Sequence, residues 1–131
     1  LIAQNEIKVD LSNPNSTIYT HLYFLQPNSY EPAKSAQTIY GFEGEEAEEI
    51  AIKLKKILDG KGLKVDFSKV PKYGKFSDTT DYKLENRYVL FPYRLPEVYV
   101  ERVGGNWYYS YETTSNINAL YKSIFPWYTE K

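Results

Sequence analysis

The sequence predicts a single α+β domain. Three observations lead there: an amphipathic helical pattern over residues 44–59, a β-hairpin pattern over 97–111 turning at Gly104-Gly105, and further helical segments before and after that hairpin. At 131 residues the chain is long enough to bury a core without disulfides, and it has no cysteine.

Each element has its own signal. Residues 5–16 show little periodicity, and Ser12-Asn13-Pro14-Asn15-Ser16 reads as the end of an arm leading into a helix cap, so 1–16 is set apart from a domain over 17–126. A first helix follows, with Ile18, Leu22 and Leu25 at helical spacing and Pro27 as its stop. A second is expected from Pro32, with Ala33, Ala36, Ile39 and Tyr40 as its packing stripe and Gly41 as its cap.

The third, from Gly44 to Asp59, shows a continuous apolar face of Ala47, Ile50, Ala51, Leu54, Ile57 and Leu58. Glu45, Glu46, Glu48 and Glu49 complement the positive end of its dipole, Lys53, Lys55 and Lys56 lie toward the negative end, and Glu49 with Lys53 forms a favourable i,i+4 pair. Leu63, Val65 and Phe67 then alternate as in a strand, although Asp66 equally suits the cap of a helical turn through Val70.

Residues 71–86 read as a long surface loop, and Tyr88 to Phe91 as a strand. In the hairpin, Val98 and Val100 share one face, while Trp107, Tyr109 and Tyr111 alternate on the return strand. Thr113, Thr114 or Ser115 caps a last helix with Ile117, Leu120, Tyr121 and Ile124 inward, ended by Pro126. Residues 127–131 stand apart as a junction.

Sixteen Lys+Arg against seventeen Asp+Glu leave a net charge of −1, which removes the overall electrostatic footprint of a nucleic-acid binder. No apolar run approaches the roughly 20 residues of a membrane span. Leu1-Ile2-Ala3-Gln4 reads either as the tail of a secretory signal or as an ordinary terminus.

No residue is nominated as catalytic, cofactor-binding or metal-ligating, and no cofactor is expected. The single histidine, His21, has no Ser, Cys or second His at triad or metal-ligand spacing and reads as structural. The glutamates Glu43, Glu45, Glu46, Glu48 and Glu49 lack the Asp/Asn-rich loop with a central glycine that wraps calcium. Glu97 and Glu101 share one face of a strand but stand roughly 13 Å apart along it, beyond either spacing of a glycosidase pair.

Gly104-Gly105 has no phosphate-loop continuation. The sequon Asn15-Ser16-Thr17 carries no function by itself. Fourteen tyrosines include Tyr99, Tyr108, Tyr109 and Tyr111 which, with Trp107, offer a surface for stacking on sugars or on another protein once the core has taken its share.

Several segments, in order, resemble a known family. They are Thr17-Ile18-Tyr19-Thr20-His21-Leu22-Tyr23-Phe24-Leu25, Tyr30-Glu31-Pro32-Ala33-Lys34-Ser35-Ala36, Ile52 through Gly62 followed by Val65-Asp66, and Val100-Glu101-Arg102-Val103 with Trp107-Tyr108-Tyr109-Ser110, Thr113 and the helix through Ile117, Leu120 and Tyr121. Together they look like the N-terminal extramembrane domain of bacterial mechanosensitive ion channels of the small-conductance family. The likeness spans nearly the whole chain and rests on core and turn residues, so no catalytic residue transfers with it.

The resemblance implies an exported, non-enzymatic domain on the periplasmic side of the inner membrane. Its expected partners are the channel's membrane part in the same polypeptide and neighbouring subunits of a homo-oligomer, with no nucleic acid. The sequence departs from the family pattern in carrying no membrane span up to Lys131. Two other functions stand beside this one: a stand-alone periplasmic domain binding a ligand or glycan through its aromatic rings, and a hydrolase with an unfamiliar site.

Overall fold

A computed structural model describes residues 6–77 and 86–127. It is an α+β fold in which helices surround one face of a three-stranded antiparallel sheet ordered β1-β2-β3. Among the described residues, no helix is long and apolar enough to cross a membrane.

Helix α1 spans Pro14–Tyr23. It begins inside the segment read as an arm, because Asn13 caps it, its Oδ1 accepting from the Ser16 amide at 2.8 Å, and Pro14 occupies the first turn, where its missing N–H costs nothing. The preceding residues lie along the domain: the Trp107 amide donates to Leu11 O at 2.7 Å, and the Asp10 amide to Thr20 Oγ1 at 3.1 Å.

The expected second helix is only one turn. Helix α2, Pro32–Ser35, passes into a 3₁₀ turn over Ala36–Thr38, and Ile39 is extended. Ile39 forms a parallel bridge with Tyr109, and the Tyr40 amide donates to Tyr109 O at 3.4 Å. A strand partner thus takes the residues meant to finish the helix. Ala36 and Ile39 are buried as expected, whereas Ala33 and Tyr40 are exposed.

Helix α3, Gly44–Gly60, matches the expectation, burying Ala47, Ile50, Ala51, Leu54, Ile57 and Leu58. The Lys53 that the sequence pairs with Glu49 instead gives its ammonium to Asn118 Oδ1 at 2.8 Å and lies 5.5 Å over the Tyr121 ring, tying α3 to the last helix. Of the two readings of residues 63–70, the helical turn holds: Asp66 caps a 3₁₀ turn over Phe67–Lys69, accepting from Ser68 N and Oγ at 3.1 and 2.6 Å.

Of the loop expected over 71–86, residues 78–85 lie outside the described set. Strand β1 is Arg87–Phe91, β2 Leu95–Val103 and β3 Asn106–Tyr109. Gly104 and Gly105 turn the second hairpin with φ of +60° and +89°, a region open to glycine at little cost. Val98, Val100, Trp107 and Tyr109 face the core and are fully buried.

Tyr111 does not continue β3. Ser110 Oγ accepts from the Thr113 amide at 3.1 Å and caps a short helix α4, Tyr111–Ser115, so the helical turn starts ahead of the caps expected at 113–115. Helix α5, Ile117–Ile124, follows and packs on α3, with Ile117 and Tyr121 buried.

Candidate functional site

The polar centre of the molecule is built from residues far apart in sequence. His21 on α1 is wholly buried. Its Nδ1 lies 2.9 Å from Tyr109 Oη on β3, and its Nε2 lies 2.9 Å from Ala51 O on α3.

A carbonyl can only accept, so Nε2 carries the ring proton and Nδ1 accepts from the tyrosine hydroxyl. One imidazole therefore joins a helix, a second helix and the sheet. Burial drives its pKa down from 6.5 to about 4, with the Ala51 hydrogen bond opposing more weakly, so the ring is neutral near pH 7. Burial likewise pushes the Tyr109 phenol well above its usual range.

Hydroxyl groups extend this network. Ser35 Oγ donates to His21 O at 2.7 Å, Thr17 Oγ1 to Trp107 O at 3.0 Å and Thr114 Oγ1 to Tyr40 O at 2.8 Å, while Trp107 Nε1 donates to Gly74 O at 3.0 Å. These buried donors each find an acceptor, and the acceptors lie on other elements. The centre fixes the packing and presents no group to an outside molecule.

The acidic residues lie apart from it. Glu43, Glu45, Glu46 and Glu49 are exposed at or beside the start of α3. Among the described residues, no group of three or more His, Asp or Glu converges as metal ligands would. Glu97 is exposed on β2 and Glu101 half-buried.

Asn15 of the sequon gives its amide Nδ2 to Phe67 O and Val70 O at 2.8 and 3.1 Å, and a glycan on that nitrogen would replace one of the two donated hydrogens.

Of the aromatic surface, Trp107 and Tyr109 are absorbed by the core. Two pairs stay near the surface: Tyr40 with Tyr108 at 5.4 Å, and Phe42 stacked on Tyr111 at 6.0 Å and 13°. Beside them a groove of about 480 Å³ runs between the segment preceding α3 and β3, with Gln37, Glu43 and Asn106 as polar walls and Phe42 and Tyr108 as apolar ones. It is the candidate recognition site, of a size that suits a small ligand, and its lining mixes ring faces with amide and carboxylate groups.

Neither a family model, a curated protein nor a solved structure matches this chain.

Proposed function

We propose that the chain is a non-catalytic extracytoplasmic domain of a mechanosensitive channel of the small-conductance type, acting in assembly or in the modulation of gating. One observation carries the reading: several of the residues on which the resemblance rests lie in the molecule's structural centre. Thr17, His21, Trp107, Tyr109, Ser110 and Thr113 are all buried, and each is hydrogen-bonded across elements or caps one. A pattern of that kind marks a domain type, and its ionisable members are committed to packing.

The test is the full reading frame. It is expected to encode membrane spans and a pore helix after residue 131, and to protect a channel-deficient bacterium against osmotic downshock. Deleting residues 17–126 is expected to change gating tension or subunit assembly and to leave the pore conducting. A frame that ends near Lys131 without spans overturns the proposal.

The groove lined by Phe42, Tyr108, Gln37, Glu43 and Asn106 favours a second reading, a glycan- or ligand-binding domain using ring faces. Saturable binding of a cell-wall glycan that is lost in Tyr108→Ala supports it. No heat signal with any glycan removes it.

A further inference from the structure

We propose that the end of the domain around the C-terminus of α3 docks on an anionic lipid surface, with Tyr93 and Trp127 entering the headgroup layer and Lys61, Lys64 and Arg94 lying over lipid phosphates. The inference deepens the channel reading and rests on it for the presence of a bilayer. It is drawn from a convergence that only the fold creates.

Gly60 ends α3, and a Cβ built there would stand 2.6 Å from Phe125 Cζ, so the Phe125 ring sits directly on that glycine. Phe125 in turn meets the Trp127 ring edge-on at 5.9 Å. From the other side, Arg94 at the tip of the β1–β2 turn donates through Nη2 to Lys61 O at 3.2 Å. The segment 125–127 thus reaches Gly60 and the tip over Pro92–Arg94 reaches its neighbour Lys61.

Tyr93 and Trp127 are 96% and 76% exposed, the highest values among the large hydrophobic side chains described. Lys64 also lines two concavities beside the 63–70 segment, and neither of them includes Tyr93, Arg94 or Trp127. Each ring joins an apolar body to a polar tip, the chemistry that collects tyrosine and tryptophan at membrane–water interfaces.

Charge selects the partner and its orientation. Arg94 is bonded to Lys61 at this end and the exposed Lys64 follows three residues on, while the carboxylates of this region are paired, Asp59 with Lys55 at 2.8 Å and Asp66 with Lys69 at 4.0 Å. Glu43, Glu45, Glu46, Glu48 and Glu49 gather at the other end of α3, whose 17 residues rise about 1.5 Å each, roughly 25 Å in all. An anionic surface attracts one end of the domain and repels the other, which stands α3 upright on the bilayer.

The experiment mixes the 131-residue chain with vesicles of phosphatidylcholine alone, with vesicles of phosphatidylcholine and phosphatidylglycerol, and with inorganic phosphate. Sedimentation measures partitioning. Trp107 is fully buried, so a vesicle-dependent blue shift reports Trp127.

The expected result is partitioning with a blue shift on the phosphatidylglycerol vesicles, weakened by salt, with no shift and no competition from inorganic phosphate. The Lys64→Glu, Arg94→Glu double variant is expected to lose at least about tenfold in partitioning. Trp127→Phe should still sediment but without the shift. Lys64→Glu alone, an exposed change with no effect on the fold, should give an intermediate loss.

Absence of partitioning, equal partitioning on both vesicle types, or indifference to the charge reversals overturns the inference. Any of these leaves the channel reading intact, because that reading is tested by the spans after residue 131 and by survival of downshock.

Discussion

Lowering the pH below 6.5 should destabilise this domain through one residue. His21 titrates near 6.5 in an unfolded chain and near 4 when buried. Between those values the unfolded chain binds a proton that the folded one refuses, so stability is complete above pH 6.5 and falls as pH drops toward 4.

A difference of about 2.5 units at roughly 1.36 kcal/mol per unit corresponds to a total of about 3 kcal/mol, most of it already lost at pH 4.5. Against a typical domain stability of about 5–15 kcal/mol, that is a large fraction.

Urea unfolding at a series of pH values from 7.5 to 4.5 measures the loss, and the ring Hε1 resonance of the single histidine checks its source directly. That resonance should not titrate between pH 7 and 5. Asp10 and Asp66 have pKa values held below the ordinary carboxylate range by their hydrogen bonds to Ser12 and Ser68, so their contribution is lost at lower pH. A histidine resonance with a midpoint near 6.5, or a stability unchanged from pH 7 to 5, would refute the buried, neutral imidazole.

Other perturbations test the packing. Tyr109→Phe leaves His21 Nδ1 buried without a donor and should cost about 1–3 kcal/mol in urea unfolding, with little change in circular dichroism. Leu54→Ala on the buried face of α3 should cost about 2–5 kcal/mol, and a loss under about 0.5 kcal/mol would contradict that burial. Gly41→Ala forces φ of +94° on a residue whose Cβ would stand 2.5 Å from Tyr111 Cδ1, and should lower the melting temperature by an amount matching about 1–3 kcal/mol. EDTA should leave the melting temperature unchanged, and a large drop would reveal a bound cation.

Elements whose burial follows their own periodicity were legible in the sequence. Helix α3 is the clearest: its six apolar positions repeat with the helical period, and the same six are buried. The Gly104-Gly105 hairpin was legible because two adjacent glycines supply positive φ at the turn.

Where tertiary contacts compete with local propensity, the reading failed. Residues 36–40 look helical, yet Ile39 and Tyr40 are drawn to the edge of β3. His21 could be read as structural from the lack of companions, but its partner Tyr109 is 88 residues away and carried no signal. The joining of Tyr93, Arg94, Lys61 and Trp127 at one end depends wholly on how the sheet and α5 pack on α3, so sequence spacing gives no hint of it.

The bond from Thr17 Oγ1 to Trp107 O closes a loop of 90 residues. It has a consequence for biosynthesis. At a synthesis rate of about 5–20 residues per second, roughly five to twenty seconds pass between the appearance of α1 and the strand that satisfies it. Throughout that interval the apolar face of α1 and the ring of His21 have no finished core to enter, and the half-made chain must be shielded or kept extended. Contacts so distant in sequence also slow closure once the chain is complete. A polypeptide whose first helix waits for its last strand cannot close its core until nearly all of the domain has been made.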